Sequence, residues 1–586
     1  MKNEPSTIQE IRFRRLRGLM VLVLLAFVWQ LVNFQVVQSD QLNKKSFNLR
    51  QVVDTIPAVR GNIEDADGNI LATTVIGHNV TVDQTQVLPF DRKVKGQTQT
   101  VSVLQAVHQI AETLKMRPKL VYQAVKGSAR YSIIAKGIDG VAYRNLIKLD
   151  IPWIYFENVP KRVYPNGALA GNLLGFMGSE GTALDGLEYS QNSCLAGVDG
   201  KETYEKGADG IKIPSSTQIT VQPKPGGTLV LSVKSDLQYF AQQAMSSAVL
   251  SERADWGSAI VVEAKTGKVL AAAEYPSVDP NDPGATKAAD RGSRVFQAVF
   301  EPGSTLKTIT AATAIDLGKA TPESKVLAPQ TRYVTRQHIA ISDSHVHPTQ
   351  KLTLTGVLRD SSNTGISYIG ERVPYSVRAK YWQLFGLGQR TAVNFAGEGS
   401  GIIHATAPDD LTVYTSMFGQ GMSVTPIQTA FLYQTIANGG VRLSPKLLLG
   451  CRQADGSVTQ VEKTISPVRA IKASTARSTI DMLEKVVETG GIGHTASIPN
   501  YRIGGKSGTA QIKEGRGYGA LHAISFIGMA PADNPRFVVA VTIYKPRTIG
   551  NSLGATPYFK AIMGQLLRMY AIPPSTTKSA NIAGDW

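Results

Sequence analysis

Residues Gly18 to Val37 read GLMVLVLLAFVWQLVNFQVV, a run without a single charge. At 1.5 Å per residue, a helical stretch of this kind is long enough to cross a hydrocarbon core of about 30 Å. Arg12, Arg14, Arg15 and Arg17 precede it. Cations collect on the cytoplasmic side of a span, so residues 1–17 are expected inside and everything after Gln38 outside. A cleaved signal peptide is the alternative. Its apolar core would be shorter and a small-x-small site would follow. Val36-Val37-Gln38-Ser39 follows instead, so residues 18–38 read as an uncleaved anchor. No other stretch approaches this length of apolar residues, and a single-pass protein with a large extracytoplasmic body is expected.

That topology gives the charge its meaning. Lys+Arg 62 against Asp+Glu 45 leaves +17 over 586 residues. Outside the membrane, nucleic acid falls away as a partner, and the charge suits anionic lipid or an anionic wall polymer. A content of 42% hydrophobic and 18% charged residues excludes a disordered chain and a polytopic membrane protein. Only Cys194 and Cys451 are present, so a disulfide framework and a four-cysteine zinc site are excluded. Far apart in sequence, they read as two unpaired buried thiols, with a bridge between them as the alternative.

Two regions follow the anchor. In residues 39–225, Arg50 to Thr74 reads as a hairpin: Gln51-Val52-Val53, then Arg60-Gly61-Asn62-Ile63, a turn at Asp67-Gly68, and Ile70-Leu71-Ala72. Val101, Leu104, Val107, His108, Ile110 and Leu114 recur at helical spacing, which puts His108 at the core or its boundary. The stretch from Ile213 to Gly227 is rich in Pro, Ser, Thr and Gly, and a domain boundary is placed at 225/226. Beyond it come strand Thr228–Ser232, a helix around Asp236–Leu250, and a hairpin of Ala259–Glu263 with Lys268–Ala272. Strand-like runs at 502–504, 523–527 and 537–543 come late in the chain. Early and late strands around a mostly helical insert imply an α+β domain over 226–572, with an antiparallel sheet flanked by helices. Residues 573–586 read as a polar tail.

Three short motifs carry the chemistry. In Phe300-Glu301-Pro302-Gly303-Ser304-Thr305-Leu306-Lys307, Ser304 opens a helix and Lys307 lies three residues on, on the same face. A serine hydroxyl is a poor nucleophile until a neighbour takes its proton, and a lysine can do so if its pKa is lowered. Alone the pattern is weak, because Ser575-Thr576-Thr577-Lys578 also matches; that copy lies after Pro573-Pro574 with no helix to orient it. The second motif is Ser361-Ser362-Asn363, a pattern also matched by Ser46-Phe47-Asn48 and Ser190-Gln191-Asn192. The third is Gly504-Gly505-Lys506-Ser507-Gly508-Thr509-Ala510, a strand that presents a cation and hydroxyls, with Gly508 permitting close backbone approach. Lys265-Thr266-Gly267 is a decoy in a hairpin turn. Asp343-Ser344-His345-Val346-His347 reads as a surface loop rather than a metal site. His494 and His522 lie near the third motif in sequence, with no role assigned.

In this order, in an α+β region outside the membrane, the three motifs resemble those of penicillin-binding proteins and serine β-lactamases, with Ser362 where the lactamases have Asp. Arg60-Gly61-Asn62-Ile63-Glu64-Asp65, Arg162-Val163-Tyr164-Pro165 and Gly186-Leu187-Glu188 are similar to the N-terminal module of class B penicillin-binding proteins. Phe385-Gly386-Leu387-Gly388 and Gly419-Gln420-Gly421 to Thr425-Pro426-Ile427-Gln428 are similar to their transpeptidase module, and the overall pattern is most like the division-specific, septal type. The resemblance implies an elongated mixed α/β pedestal or dimerisation-like module over 39–225, a transpeptidase domain, and peptidoglycan D,D-transpeptidase activity on stem peptides. An elongation-type transpeptidase and a D,D-carboxypeptidase are the alternatives. A freely secreted β-lactamase would be about half as long, and a β-lactam sensor would need more spans. Ser304 would be the nucleophile, Lys307 its base and Ser361 the proton relay. Asn363 would hold the substrate amide, with Lys506, Ser507, Gly508 and Thr509 at the terminal carboxylate. The backbone N–H groups of Ser304 and Thr509 would form the oxyanion hole. Two cations beside one serine would depress the pKa of Lys307. No cofactor or metal is implied. β-lactams, the membrane, a separate membrane glycan polymerase and other division proteins are the implied partners.

Overall fold

The computed structural model describes residues 7–586 except 95, 208–212, 336–338, 464 and 516. A helix Thr7–Val32 runs on through a π-helical turn, Asn33–Val37. Within Glu10–Val37, the most apolar 18 residues have a mean hydropathy of 2.1 and none of them is buried, so the helix is long and apolar enough to cross a membrane.

Residues up to Val59 and Gly197–Pro225 form one compact unit. Its sheet is antiparallel, ordered Gln51–Ile56, Gly200–Glu205, Gln218–Val221. Here the structure corrects the expected hairpin. The strand beginning Gln51-Val52-Val53 pairs with Gly200–Glu205, from Gln51↔Glu205 to Ile56↔Gly200, and not with residues 60–63. Pro57 follows directly and has no N–H to continue the ladder. The turn at Asp67-Gly68 does close a hairpin, of Ile63–Glu64 with Ile70–Val82. The Asp65 carboxylate accepts from Asp67 N and Asn69 N at 2.9 and 2.8 Å, and Gly68 takes the left-handed conformation at φ 85.

Residues 60–196 and 226–586 form the second unit. Its helix Val103–Leu114 starts at a Ser102–Gln105 capping box and buries Ala106, Val107, Ile110 and Ala111. His108 and Leu104 are exposed, contrary to the sequence reading. The buried stripe follows 106, 107, 110 and 111, and the two residues lie off its edges. Elsewhere in this unit, the fully buried Glu188 carboxylate accepts from Arg60 Nε at 2.6 Å, Arg162 Nε at 2.7 Å and the Tyr164 hydroxyl at 3.1 Å. The three sequence runs that resembled the pedestal module thus meet at one buried charge cluster. Glu188→Ala would leave two largely buried guanidinium groups without their carboxylate, a defect that costs about 3–5 kcal/mol. A marked fall in the thermal midpoint of the purified protein is expected, and an unchanged midpoint would contradict this account of the cluster.

Cys194 and Cys451 form a disulfide with a Cα–Cα distance of 5.9 Å, which overturns the reading as free thiols. Sequence separation gave no hint of it. Strand Thr228–Leu231 pairs with both Leu448–Arg452 and Ile63–Glu64 in a seven-stranded sheet; Leu448–Arg452 carries Cys451, and Gly227 N, just before the strand, donates to Cys194 O at 2.8 Å. That pairing also removes Thr228–Leu231 from the main sheet.

The main sheet is antiparallel and sandwiched between helices. Helix α1 (Ser235–Glu252) precedes β1 (Trp256–Glu263) and β2 (Val269–Tyr275), joined at Lys265-Thr266-Gly267. The insert contributes α2 (Lys307–Asp316), α3 (Leu354–Arg359), α4 (Asn363–Gly370), α5 (Pro426–Ala437) and α6 (Ala473–Val487). The chain returns through β3 (Gly504–Glu514), β4 (Gly517–Ala530) and β5 (Phe537–Tyr544), then closes with α7 (Thr556–Met569). The strand order is β2-β1-β5-β4-β3. Alternate residues serve different cores: Ile260, Val262, Val538 and Ala540 join a cluster with α5, while Ala259, Val261, Val539 and Val541 join one with α1 and α7. With both faces buried, the strands read as continuous apolar runs.

The segment after Pro573-Pro574 is polar but docked. Ser575 N donates to Asn500 O at 2.9 Å, and Trp586 Nε1 donates to Leu352 O at 3.1 Å.

Candidate active site

Ser304 lies in a 3-10 turn, Gly303–Leu306, that leads into α2. Gly303 turns the chain at φ 56, and its N–H donates to Gly419 O at 3.0 Å. A methyl group on Gly303 would lie 3.0 Å from the Thr509 carbonyl oxygen, so this turn rests on the backbone of β3. Gly508 provides the matching space. A Cβ there would meet Ser525 Oγ at 2.4 Å and Thr305 Cγ2 at 2.9 Å. The backbones of the first and third motifs are therefore neighbours.

Lys307 is fully buried at the start of α2, with Nζ 3.0 Å from Ser304 Oγ and 3.2 Å from Ser361 Oγ; it also bonds the Ser361 carbonyl. Lys506 Nζ, from β3, donates to Ser361 Oγ at 2.9 Å and lies 3.3 Å from Ser507 Oγ. The Ser361 hydroxyl thus sits between two lysine nitrogens, one of which reaches Ser304. Burial lowers the Lys307 pKa to about 7, against the opposing pull of the Asp343 carboxylate. Burial, and then the neighbouring charge of Lys307, hold Lys506 well below the usual lysine range, with Asp360 opposing. The expected depression of Lys307 is present, but its cause is desolvation rather than cation–cation repulsion, which acts on Lys506.

Ser361 occupies the left-handed region at φ 61, in the turn between α3 and α4. A β-carbon there is unfavourable by about 1–2 kcal/mol, so the surroundings must hold it. Ser362 caps α4 by accepting from Gly365 N at 2.8 Å. Asn363 Nδ2 donates to Ser342 O at 2.9 Å. The Asp343 carboxylate accepts from Ser362 Oγ at 2.7 Å, from Thr364 N at 3.1 Å and from the Asn363 N–H. It also meets His347 Nε2 at 3.1 Å. Reading 343–347 as a surface loop fails at both ends of that bond. The His347 side chain is only 6% exposed, because Asp343 draws it inward, while His345 and Val346 face solvent. Among the described residues, no group of three or more His, Cys, Asp or Glu side chains converges as a metal site would.

The decoys have other duties. Thr266 Oγ1 bonds Glu263 in the β1–β2 turn, and Ser575 Oγ accepts from Arg502 N at 3.1 Å. His494 Nδ1 contacts Gly491 O, and His522 sits on β4 opposite Gln511.

The family described as Penicillin binding protein transpeptidase domain matches residues 257–564, and Penicillin-binding Protein dimerisation domain matches 55–231. The chain belongs to the penicillin-binding proteins. Penicillin-binding protein PbpB of Mycolicibacterium smegmatis is 34% identical, with 95% of this chain and 90% of that protein covered. Peptidoglycan D,D-transpeptidase FtsI of Escherichia coli is 30% identical, over 96% of this chain and 92% of that one. Among solved structures, penicillin-binding protein 3 of Mycobacterium tuberculosis complexed with ampicillin superposes with a TM-score of 0.70 at 28% identity, covering 91% of this chain and all of that one. A peptidoglycan synthetase from Bifidobacterium adolescentis reaches a TM-score of 0.71 at 27% identity, covering 92% and 100%.

Three supports of this penicillin-binding site escaped the motif search. Asp343 anchors the second motif from 18 residues before Ser361, and its only signal was the His-x-His run beside it. Glu301, next to Pro302, accepts from Gly421 N at 3.0 Å and from the Tyr518 hydroxyl at 3.1 Å. Tyr433, on α5, donates to Thr305 O at 3.0 Å beneath the serine turn. Nothing local marked it, because its partner comes from a distant part of the chain.

Proposed function

We propose that this chain is a peptidoglycan D,D-transpeptidase that crosslinks stem peptides during septal wall synthesis and is acylated by β-lactams. The observation that carries this reading is the contact series Ser304–Lys307–Ser361–Lys506. Neutral Lys307 takes the proton of Ser304 as Oγ attacks the carbonyl between two terminal D-alanines. The C–N bond then breaks, and Ser361 relays that proton from Lys307 to the departing amine of D-alanine, leaving Lys307 neutral and an acyl ester on Ser304. The amine of a second stem attacks that ester, its proton returns through Lys307 to Ser304 Oγ, and an amide crosslink is released. Asn363 holds the substrate amide. Lys506, Ser507 and Thr509 take the terminal carboxylate, beside Gly508. The N–H groups of Ser304 and Thr509 receive the oxyanion, at about 3–4 kcal/mol per donor in comparable acyl-transfer enzymes.

The helix through Val37 anchors the protein with residues 1–17 in the cytoplasm and residues 226–572 outside, on the strength of the four arginines before Gly18. Gln30, Asn33 and Gln35 offer polar contacts for helix association in the bilayer, and a separate membrane glycan polymerase fits that surface. The reading is tested by supplying the purified protein with a lipid-linked disaccharide pentapeptide. Crosslinked stems with release of D-alanine are expected only after a polymerase is added. Glycan chains without the polymerase would contradict a purely crosslinking role, and trimmed stems without crosslinks would indicate a carboxypeptidase. Fluorescence at the side wall instead of the septum would contradict the divisional role.

A further inference from the structure

The segment Ala583–Trp586 reaches the second motif from behind. Leu352 forms a bridge with Asp585, Thr353 N donates to Gly584 O at 2.9 Å, and Trp586 N donates to Lys351 O at 3.2 Å. Thr353 Oγ1 donates to Ala583 O at 2.7 Å, and the same oxygen caps α3 by accepting from Gly356 N at 3.2 Å. The approach is close enough that a Cβ on Gly356 would lie 1.9 Å from Gly584 O. Lys325 and Lys351 sit over the Trp586 ring at 4.8 and 5.4 Å. The segment therefore grips the start of α3 and the strand before it.

It also grips the other end. Arg359, the last residue of α3, donates from Nη1 and Nη2 to the Asp585 carboxylate at 3.0 and 2.8 Å. The same guanidinium holds Asp360 through Nε and Nη2 at 2.7 and 2.8 Å. Asp360 precedes Ser361, whose left-handed backbone must be held in place while its hydroxyl spans Lys307 and Lys506. Asp343 fixes the far side of that turn, at Ser362–Thr364; the near side is fixed by Arg359. A bidentate guanidinium between two carboxylates is a stiff joint, since its donors lie in one plane.

We propose that Ala583–Trp586 is a positioning strap for the second motif, acting through Asp585 and Arg359 to hold Ser361 between the two lysines. Neither Asp585 nor Arg359 touches the reacting atoms; they act through Asp360. The proposal rests on the transpeptidase reading above. Misplacement of a catalytic group by a fraction of an ångström to an ångström slows chemistry by up to about 10²-fold while leaving ground-state binding in place.

The test uses the full-length protein in detergent and a fluorescent penicillin, with the acylation rate constant separated from the non-covalent dissociation constant. Asp585→Ala is expected to slow acylation by about 10-fold or more with an unchanged dissociation constant. Asp585→Glu, which keeps the carboxylate, is expected to restore most of the rate. Thr577→Val serves as control: it removes contacts to Asp533 and Arg502 from the same docked segment and should leave acylation unchanged. If Asp585→Ala melts below the assay temperature, the same split is read from Asp585→Asn, which keeps the size and loses the charge. A wild-type acylation rate in both Asp585→Ala and Asp585→Asn would overturn the strap, as would an equal loss in Thr577→Val. Absence of acylation in the wild-type protein would instead remove the transpeptidase reading itself.

Discussion

Ser304→Ala is expected to reduce covalent labelling by a fluorescent penicillin to background, while Ser575→Ala labels like the wild type. Both serines stand three residues before a lysine, so sequence pattern alone gives them equal standing. Geometry separates them. Ser304 Oγ lies 3.0 Å from a fully buried Lys307 Nζ at the head of a helix. Ser575 Oγ is occupied by Arg502 N and faces Asp533 at 3.3 Å, in a segment without a helix. A hydroxyl with no lysine amine beside it to take its proton stays protonated and unreactive near neutral pH. Full labelling of Ser304→Ala would remove the nucleophile assignment.

The second large effect concerns Lys307. Removing a positioned general base costs about 10²–10⁴-fold in rate, so Lys307→Ala is expected to acylate that much more slowly with little loss of initial binding. The pH profile carries a sharper signature. With its pKa lowered to about 7, Lys307 is neutral and able to accept a proton above that value. Acylation by the wild-type protein should therefore fall as pH drops through about 7, and that limb should vanish in Lys307→Ala. Stability should follow the same group. Its folded pKa lies below the ordinary value of 10.5, so between about 7 and 10.5 the unfolded chain binds a proton that the folded chain does not. The contribution of Lys307 to stability thus rises with pH across that window and is flat below it. A wild-type acid limb that persists in Lys307→Ala would assign the titration to another group.

The sequence carried the site more fully than it carried the fold's connections. The three motifs are local, because a nucleophile at a helix start, a capped turn and a cation-bearing strand each leave a short imprint. Their convergence needed the five-stranded sheet, whose strands were also legible as apolar runs with tight turns. What failed was partner choice. The Gln51 strand was visible, yet its mate is Gly200–Glu205, beyond an entire intervening module. The Cys194–Cys451 bridge depends on the seven-stranded sheet around Thr228–Leu231, whose neighbours Ile63–Glu64 and Leu448–Arg452 lie far apart along the chain. Asp343 and Tyr433 act only through tertiary contacts, so no local pattern announced them. The docked segment after Pro574 was legible only as a polar tail. Its contacts are hydrogen bonds and an Arg–carboxylate joint rather than apolar burial, which hydrophobic periodicity does not report.

The central claim is that one serine, Ser304, carries the acyl group. Trypsin separates the two candidates cleanly, because Ser304 falls in the peptide Val295–Lys307 and Ser575 in Met569–Lys578. Mass spectrometry of the wild-type protein after brief exposure to a penicillin, digested under acid-stabilised conditions, should show one penicilloyl adduct, on Val295–Lys307 and localised to Ser304. An adduct on Met569–Lys578 or on any other peptide, with Val295–Lys307 unmodified, would contradict the account.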